Sequence, residues 1–103
     1  MQNLDQEEWR RVMEQAKEPV IIDVRTPYEI DQGYIPGALH INIQDAGSFM
    51  GKIAELDKTK DYFVYCRAGS RSAQACMIME SQGFEKTYNL SGGFDRWMGE
   101  RTT

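Results

Sequence analysis

Cysteine and histidine are the scarce residues of this chain: two of the first and one of the second among 103. So few ligands, with no carboxylates clustered at ligand spacing, argue against a zinc centre. Cys66 and Cys76 stand ten positions apart, a poor disulfide framework, so reduced thiols and a cytoplasmic setting are expected. No apolar run approaches the length of a membrane helix, and Met1 to Arg10 lacks the apolar core and basic leader of a secretory signal. Positive charge is also short, with 12 Lys and Arg against 16 Asp and Glu and a net charge of −4. That balance argues against a nucleic-acid binder working by phosphate neutralisation. There is no internal repeat, low-complexity segment or linker. Hydrophobic residues at 41% and charged residues at 27% are ordinary globular usage, so one domain over residues 1–103 is expected, working as a monomer.

What is present is an alternation of strand-like and helix-like segments. Trp9, Val12, Met13 and Ala16 recur at helical spacing within residues 5–17, with Asn3 or Asp5 as the cap and Pro19 as the stop. Val20-Ile21-Ile22-Asp23-Val24 is a short β-branched run, as in a strand covered on both faces. Residues 27–32 predict one helical turn before Gly33, and residues 38–41 a short strand after the Pro36-Gly37 turn. Residues 47–56 form a helical pattern with Asp45 as cap, and residues 61–65 a strand. Residues 71–82 read as a well-buried helix in which Cys76, Met77 and Met79 are core, with Gly83 closing it. Residues 87–90 read as the last strand, and Phe94 to Met98 as a closing helix with Phe94 and Trp97 inward. The alternation predicts an α/β fold with a parallel sheet and helices on both faces, where ligands sit at the carboxyl ends of the strands.

Cys66 stands at such an end. It leaves the apolar strand Tyr62-Phe63-Val64-Tyr65 and opens the run Cys66-Arg67-Ala68-Gly69-Ser70-Arg71-Ser72 ahead of a helix. A turn of this kind can aim the amides of Arg67 through Ser72 at the sulfur, an anion-binding nest. Gly69 is free to take positive φ where the turn tightens. Small Ala68 and Ser70 admit close approach, and a hydroxyl of Ser70 or Ser72 can donate a further bond. Arg67 and Arg71 place positive charge at the mouth. Each of these favours thiolate over thiol, and the thiolate is the nucleophile.

Three segments together resemble the single-domain rhodaneses, sulfurtransferases that carry sulfane sulfur as a cysteine persulfide. Asp23-Val24-Arg25-Thr26-Pro27-Tyr28-Glu29, followed by Gly33-Tyr34-Ile35-Pro36-Gly37-Ala38, is similar to the family's D-x-R-x-x-x-E and G-H-I-x-G-A patterns. The Cys66 loop is the second match, and Gly92-Gly93-Phe94-Asp95-Arg96-Trp97 resembles the terminal G-G-x-x-x-W signature. The resemblance implies a three-layer α/β/α rhodanese-like fold with a central, mainly parallel sheet of about five strands. It implies that Cys66 attacks a donor such as thiosulfate or a persulfide and passes the sulfur to a thiol or to cyanide, with no metal or organic cofactor. Nucleic acid and membrane are not expected partners.

Two departures bear on this expectation. Tyr34 replaces the family's common histidine, a position read as structural. Ala68 stands where some thiosulfate-using relatives carry a basic residue, which weakens the case for thiosulfate but not for persulfide chemistry. Cysteine phosphatases leave five residues between Cys and Arg, whereas Cys66 and Arg71 leave four, so phosphatase or arsenate-reductase activity ranks behind sulfur transfer. A relay module exchanging sulfur with a protein partner is the other alternative. Arg25 and Glu29 are expected to pair and fix the loop after the strand, with Asp23 orienting backbone; Asp23 and Arg25 remain secondary candidates as supports of the site. Cys76 is expected to be core rather than a resolving thiol, and His40 structural. Tyr28, Phe49 and Met50 are candidates to line the mouth.

Overall fold

The computed structural model describes residues 1–103. Five parallel strands carry the fold: β1 (Gln2–Leu4), β2 (Pro19–Asp23), β3 (Leu39–His40), β4 (Asp61–Tyr65) and β5 (Lys86–Leu90). Their order across the sheet is β1-β5-β4-β2-β3. Helices α1 (Gln6–Gln15), α2 (Pro27–Ile30), α3 (Ala46–Ala54) and α4 (Ser70–Ser81) connect them, and a 3₁₀ turn at Phe94–Arg96 follows β5. Asp5 caps α1 by accepting from the Glu8 amide, and Asp45 caps α3 by accepting from Ser48. No helix is long and apolar enough to cross a membrane.

β4 is central, and all five of its residues are buried. Its side chains alternate between two cores, as the pleat requires. Tyr62, Val64 and then Cys66 face α3 and α4, packing with Ile22, Phe49, Ile53, Cys76 and Met79. Phe63 and Tyr65 face the other side with Trp9 of α1, Leu90, Phe94 and Trp97. Trp9 is fully buried and meets Phe63, Tyr65 and Trp97 edge-on, a geometry that aromatic rings favour. The two cores make the three layers of the expected α/β/α fold, with a sheet that is wholly parallel.

Several elements differ from the sequence reading. β1 was not legible, because Gln2 and Asn3 are polar and exposed and the strand forms by edge pairing to Tyr88, Asn89 and Leu90. The predicted closing helix is only the 3₁₀ turn, since Trp97 already returns to extended backbone. α4 is not buried all round. Ser72, Ala75, Cys76 and Met79 form its inward stripe, and Met77, one position out of phase, is 64% exposed. The short strand before α3 is a two-residue edge, Leu39 and His40, both exposed.

Candidate active site

β4 delivers Cys66 to the carboxyl edge of the sheet, and α4 begins at Ser70, with Gly69 as its N-cap residue. Gly69 adopts φ 110°, the left-handed conformation the tight turn demands. That twist turns its amide back, and the Gly69 N–H donates to Cys66 Sγ at 3.1 Å. The Ser72 hydroxyl donates to the same sulfur at 3.3 Å. Burial pushes the Cys66 thiol up, but bonds from the Ser72 hydroxyl and from the amides of Ser72, Gly69 and Ala68 outweigh it and hold the thiol below its ordinary value. The first turn of α4 adds its dipole in the same sense. Cys66 is only 1% exposed and lies on the floor of the loop, whose rim residues Arg67, Ala68 and Ser70 are exposed.

The loop rests on the residues that follow β5. The Phe94 amide donates to the Cys66 carbonyl and the Asp95 amide to the Arg67 carbonyl, each at 2.9 Å. Asn89, buried on β5, donates to the Gly69 carbonyl at 3.1 Å and to Asn3 Oδ1 at 2.8 Å. Asn89 was not singled out from the sequence, since an asparagine near a strand end carries no local signal of a tertiary contact. Of the two glycines of the Gly92-Gly93 motif, Gly93 lets this segment press against the loop, while Gly92 supplies the positive φ of 85° that turns the chain after β5.

The ion pairs differ from expectation. Arg25 does not pair with Glu29. Its Nε donates to Asp23 Oδ1 at 2.9 Å and its terminal nitrogen to Asp23 Oδ2 at 2.7 Å and to the Gly33 carbonyl at 2.7 Å. This pair is buried, and the Arg25 guanidinium lies over the Phe94 ring at 4.4 Å. Two residues apart on an extended strand end, Asp23 and Arg25 share a face and can close on each other; Glu29 lies beyond, on α2. Neither Asp23 nor Arg25 is hydrogen-bonded to Cys66, so they brace the turn into α2 and the Gly33 segment rather than the sulfur.

Glu29 instead grips Arg71 with both carboxylate oxygens, each bond 2.7 Å long. The Thr26 capping box holds Glu29 in place: the Thr26 amide donates to Glu29 Oε1 at 3.1 Å and the Glu29 amide to Thr26 Oγ1. The Arg71 bonds hold the Glu29 carboxyl well below the usual carboxylate range, at about 2. Of the residues proposed for the mouth, Tyr28 is 77% exposed on α2 and Met50 is exposed on α3, but Phe49 is core. Phe49 sits on the inward stripe of α3 with Ile53. Cys76 is fully buried, and burial pushes its thiol up to about 12 despite the neighbouring Thr87 hydroxyl. His40 is exposed and meets Tyr34 edge-on at 4.6 Å.

The arrangement is therefore a buried, acid-shifted thiol inside a ring of donors, able to hold a thiolate or an added anionic sulfur. The chain as a whole is similar to known proteins. A sulfurtransferase from Allochromatium vinosum is 35% identical over 94 residues, which is 91% of this chain and 85% of that protein. A protein named thiosulfate sulfurtransferase GlpE, from Shewanella oneidensis, is 33% identical over 82% of this chain and 81% of its own length. The crystal structure of a rhodanese-like domain protein from Staphylococcus aureus superposes with a TM-score of 0.80 at 29% identity, covering 97% of this chain and 94% of that one. Residues 5–100 match the rhodanese-like domain, and the chain belongs to that family.

Proposed function

We propose that this protein is a rhodanese-type sulfurtransferase in which Cys66 carries the sulfur. The Cys66 thiolate attacks the outer sulfur of a donor. With thiosulfate, the new bond joins Sγ to the sulfane sulfur, the sulfur–sulfur bond to the sulfonate breaks, and sulfite leaves with the electron pair. The added sulfur stays on Cys66 as a persulfide anion. A thiol acceptor, or cyanide in an assay, then attacks that outer sulfur and the Cys66 thiolate is restored. Arg67, Ala68, Gly69, Ser70, Arg71 and Ser72 form the loop around the added sulfur, whose charge the amides meet without reorganisation. The reading takes the protein to be a cytoplasmic monomer.

One observation carries the proposal: a buried sulfur receives both the Gly69 amide and the Ser72 hydroxyl. A cysteine kept only for packing needs neither. The test is the mass of the intact protein after incubation with thiosulfate or a small persulfide. A gain of one sulfur atom is expected, lost on adding cyanide and missing in Cys66→Ser. No gain from any donor would defeat the proposal.

Phosphate-ester hydrolysis is disfavoured by Arg71. A phosphatase loop needs its arginine free to grip phosphate, and here both terminal nitrogens of Arg71 are bound by Glu29. A relay in which a protein supplies or takes the sulfur uses the same Cys66 chemistry and differs only in the partner.

A further inference from the structure

The charges around the loop cancel in pairs. Arg25 is matched by Asp23 and Arg71 by Glu29, which leaves Arg67 as the loop cation that makes no ion pair. Arg71 matters most. It stands in the first turn of α4 beside Ser72, whose hydroxyl reaches Cys66 Sγ at 3.3 Å, so its charge lies at the mouth of the same loop. Both side chains of the Glu29–Arg71 pair are only about one-fifth exposed, at 20% and 21%, and bulk water screens them incompletely.

We infer that Glu29 is a specificity-determining residue, which quenches the Arg71 charge at the mouth and so favours donors whose transferable sulfur is borne by an uncharged group, an alkyl persulfide, over dianionic thiosulfate. The inference rests on the sulfur-transfer reading given above. In the favoured step the Cys66 thiolate attacks the outer sulfur of R–S–SH. The Cys66–sulfur bond forms, the sulfur–sulfur bond of the donor breaks, R–S⁻ leaves with the electron pair, and the proton stays on the transferred sulfur until it ionises to the persulfide anion. One negative charge passes through the site. With thiosulfate, three negative charges converge on the same loop, and a neutralised Arg71 offers them little. Ala68, in place of a basic residue, acts in the same direction.

Glu29→Gln is the informative variant. Its single amide oxygen can still accept from Arg71, while the charge and the second Arg71 bond are removed, so ratios between two reagents rather than absolute rates are compared. The ratio of kcat/KM for thiosulfate to that for 2-hydroxyethyl persulfide is expected to rise about tenfold at low ionic strength, as for one nearby charge incompletely screened. Alkylation supplies a readout independent of sulfur transfer: the rate of Cys66 modification by iodoacetate relative to iodoacetamide, followed by peptide mass, should rise about threefold. Both gains should shrink towards unity near 0.5 M salt. Glu29→Asp, which keeps the charge, should lie close to wild type in both ratios, which a packing role for the side chain would not produce. Sulfur transfer with either ratio unchanged or lowered in Glu29→Gln overturns the role of Glu29. A raised alkylation ratio without sulfur gain from either donor overturns the sulfur-transfer reading, and the donor preference falls with it.

Discussion

Gly93 lies against the backbone of Arg67: a β-carbon built on Gly93 would fall 2.4 Å from the Arg67 carbonyl oxygen and 2.7 Å from that of Cys66. Those are backbone atoms at the start of the loop, themselves hydrogen-bonded to Phe94 and Asp95, so they cannot move aside without breaking the support. The Gly93 backbone, at φ 59° and ψ −161°, occupies a region nearly restricted to glycine. Gly93→Ala should therefore cost about 3 kcal/mol or more from strain and collision together. In a domain of this size that lowers the melting temperature by roughly 12 °C or more. Chemical denaturation would check it, and a loss under half a kcal/mol would contradict the close packing described.

Ser72 is buried and its hydroxyl is divided between Cys66 Sγ and the Gly69 carbonyl. Ser72→Ala removes a donor to the thiolate and leaves the thiol and its burial in place. Because the bond favours the charged form, its loss raises the Cys66 pKa, by about one unit if the hydroxyl contributes about 1.5 kcal/mol. Iodoacetamide modification of Cys66, measured against pH, should shift its midpoint upward and slow at neutral pH. A midpoint that stays put would assign the acid shift to the amides alone.

How far these relationships could be read from sequence depended on their range. The strand, Cys66, the loop and α4 are contiguous, so alternation and a single glycine sufficed to place them. Asp5 and Asp45 as caps are local as well. The pairing of Glu29 was misread because its partner is 42 residues away; a nearby arginine two residues beyond Asp23 was the obvious choice, and only the fold shows that Asp23 already occupies it. Met77 was misread for a different reason. α4 carries apolar side chains on every side, and periodicity alone does not say which stripe meets the sheet. β1 has one inward apolar residue, Leu4, and a strand that is held by pairing rather than burial leaves no pattern.

Glu29 also couples the site to acid stability. Its carboxyl is held at about 2 in the fold, chiefly by Arg71, against the ordinary glutamate value of 4.5. A depressed carboxylate contributes stability that is complete above its unfolded pKa and fades as pH falls through the folded one. The contribution should therefore be present at pH 5 and above and decline between roughly pH 4.5 and pH 2. Water at the rim screens the pair, so the amount is of order 1 kcal/mol. Urea unfolding of wild type and Glu29→Gln across that range should give curves that differ at pH 6 and converge near pH 2. A constant difference would mean that the ion pair is not its source.

Asn89 links the edge of the sheet to the loop. It takes its orientation from Asn3 Oδ1 and holds the Gly69 carbonyl, while the Gly69 amide points at Cys66. Asn89→Asp keeps the shape and removes the donor, setting a carboxylate against a carbonyl oxygen. The Gly69 peptide should rotate away from that repulsion and take its N–H off the sulfur. The expected result is a Cys66 alkylation midpoint raised by about one unit and sulfur transfer slowed about tenfold, as for one lost bond to a charged group. Asn3→Ala leaves the Asn89 side chain able to reach Gly69 and should have a smaller effect of the same sign. If Asn89→Asp folds and alkylates as wild type does, the loop is held by Phe94, Asp95 and Ser72 without help from β5.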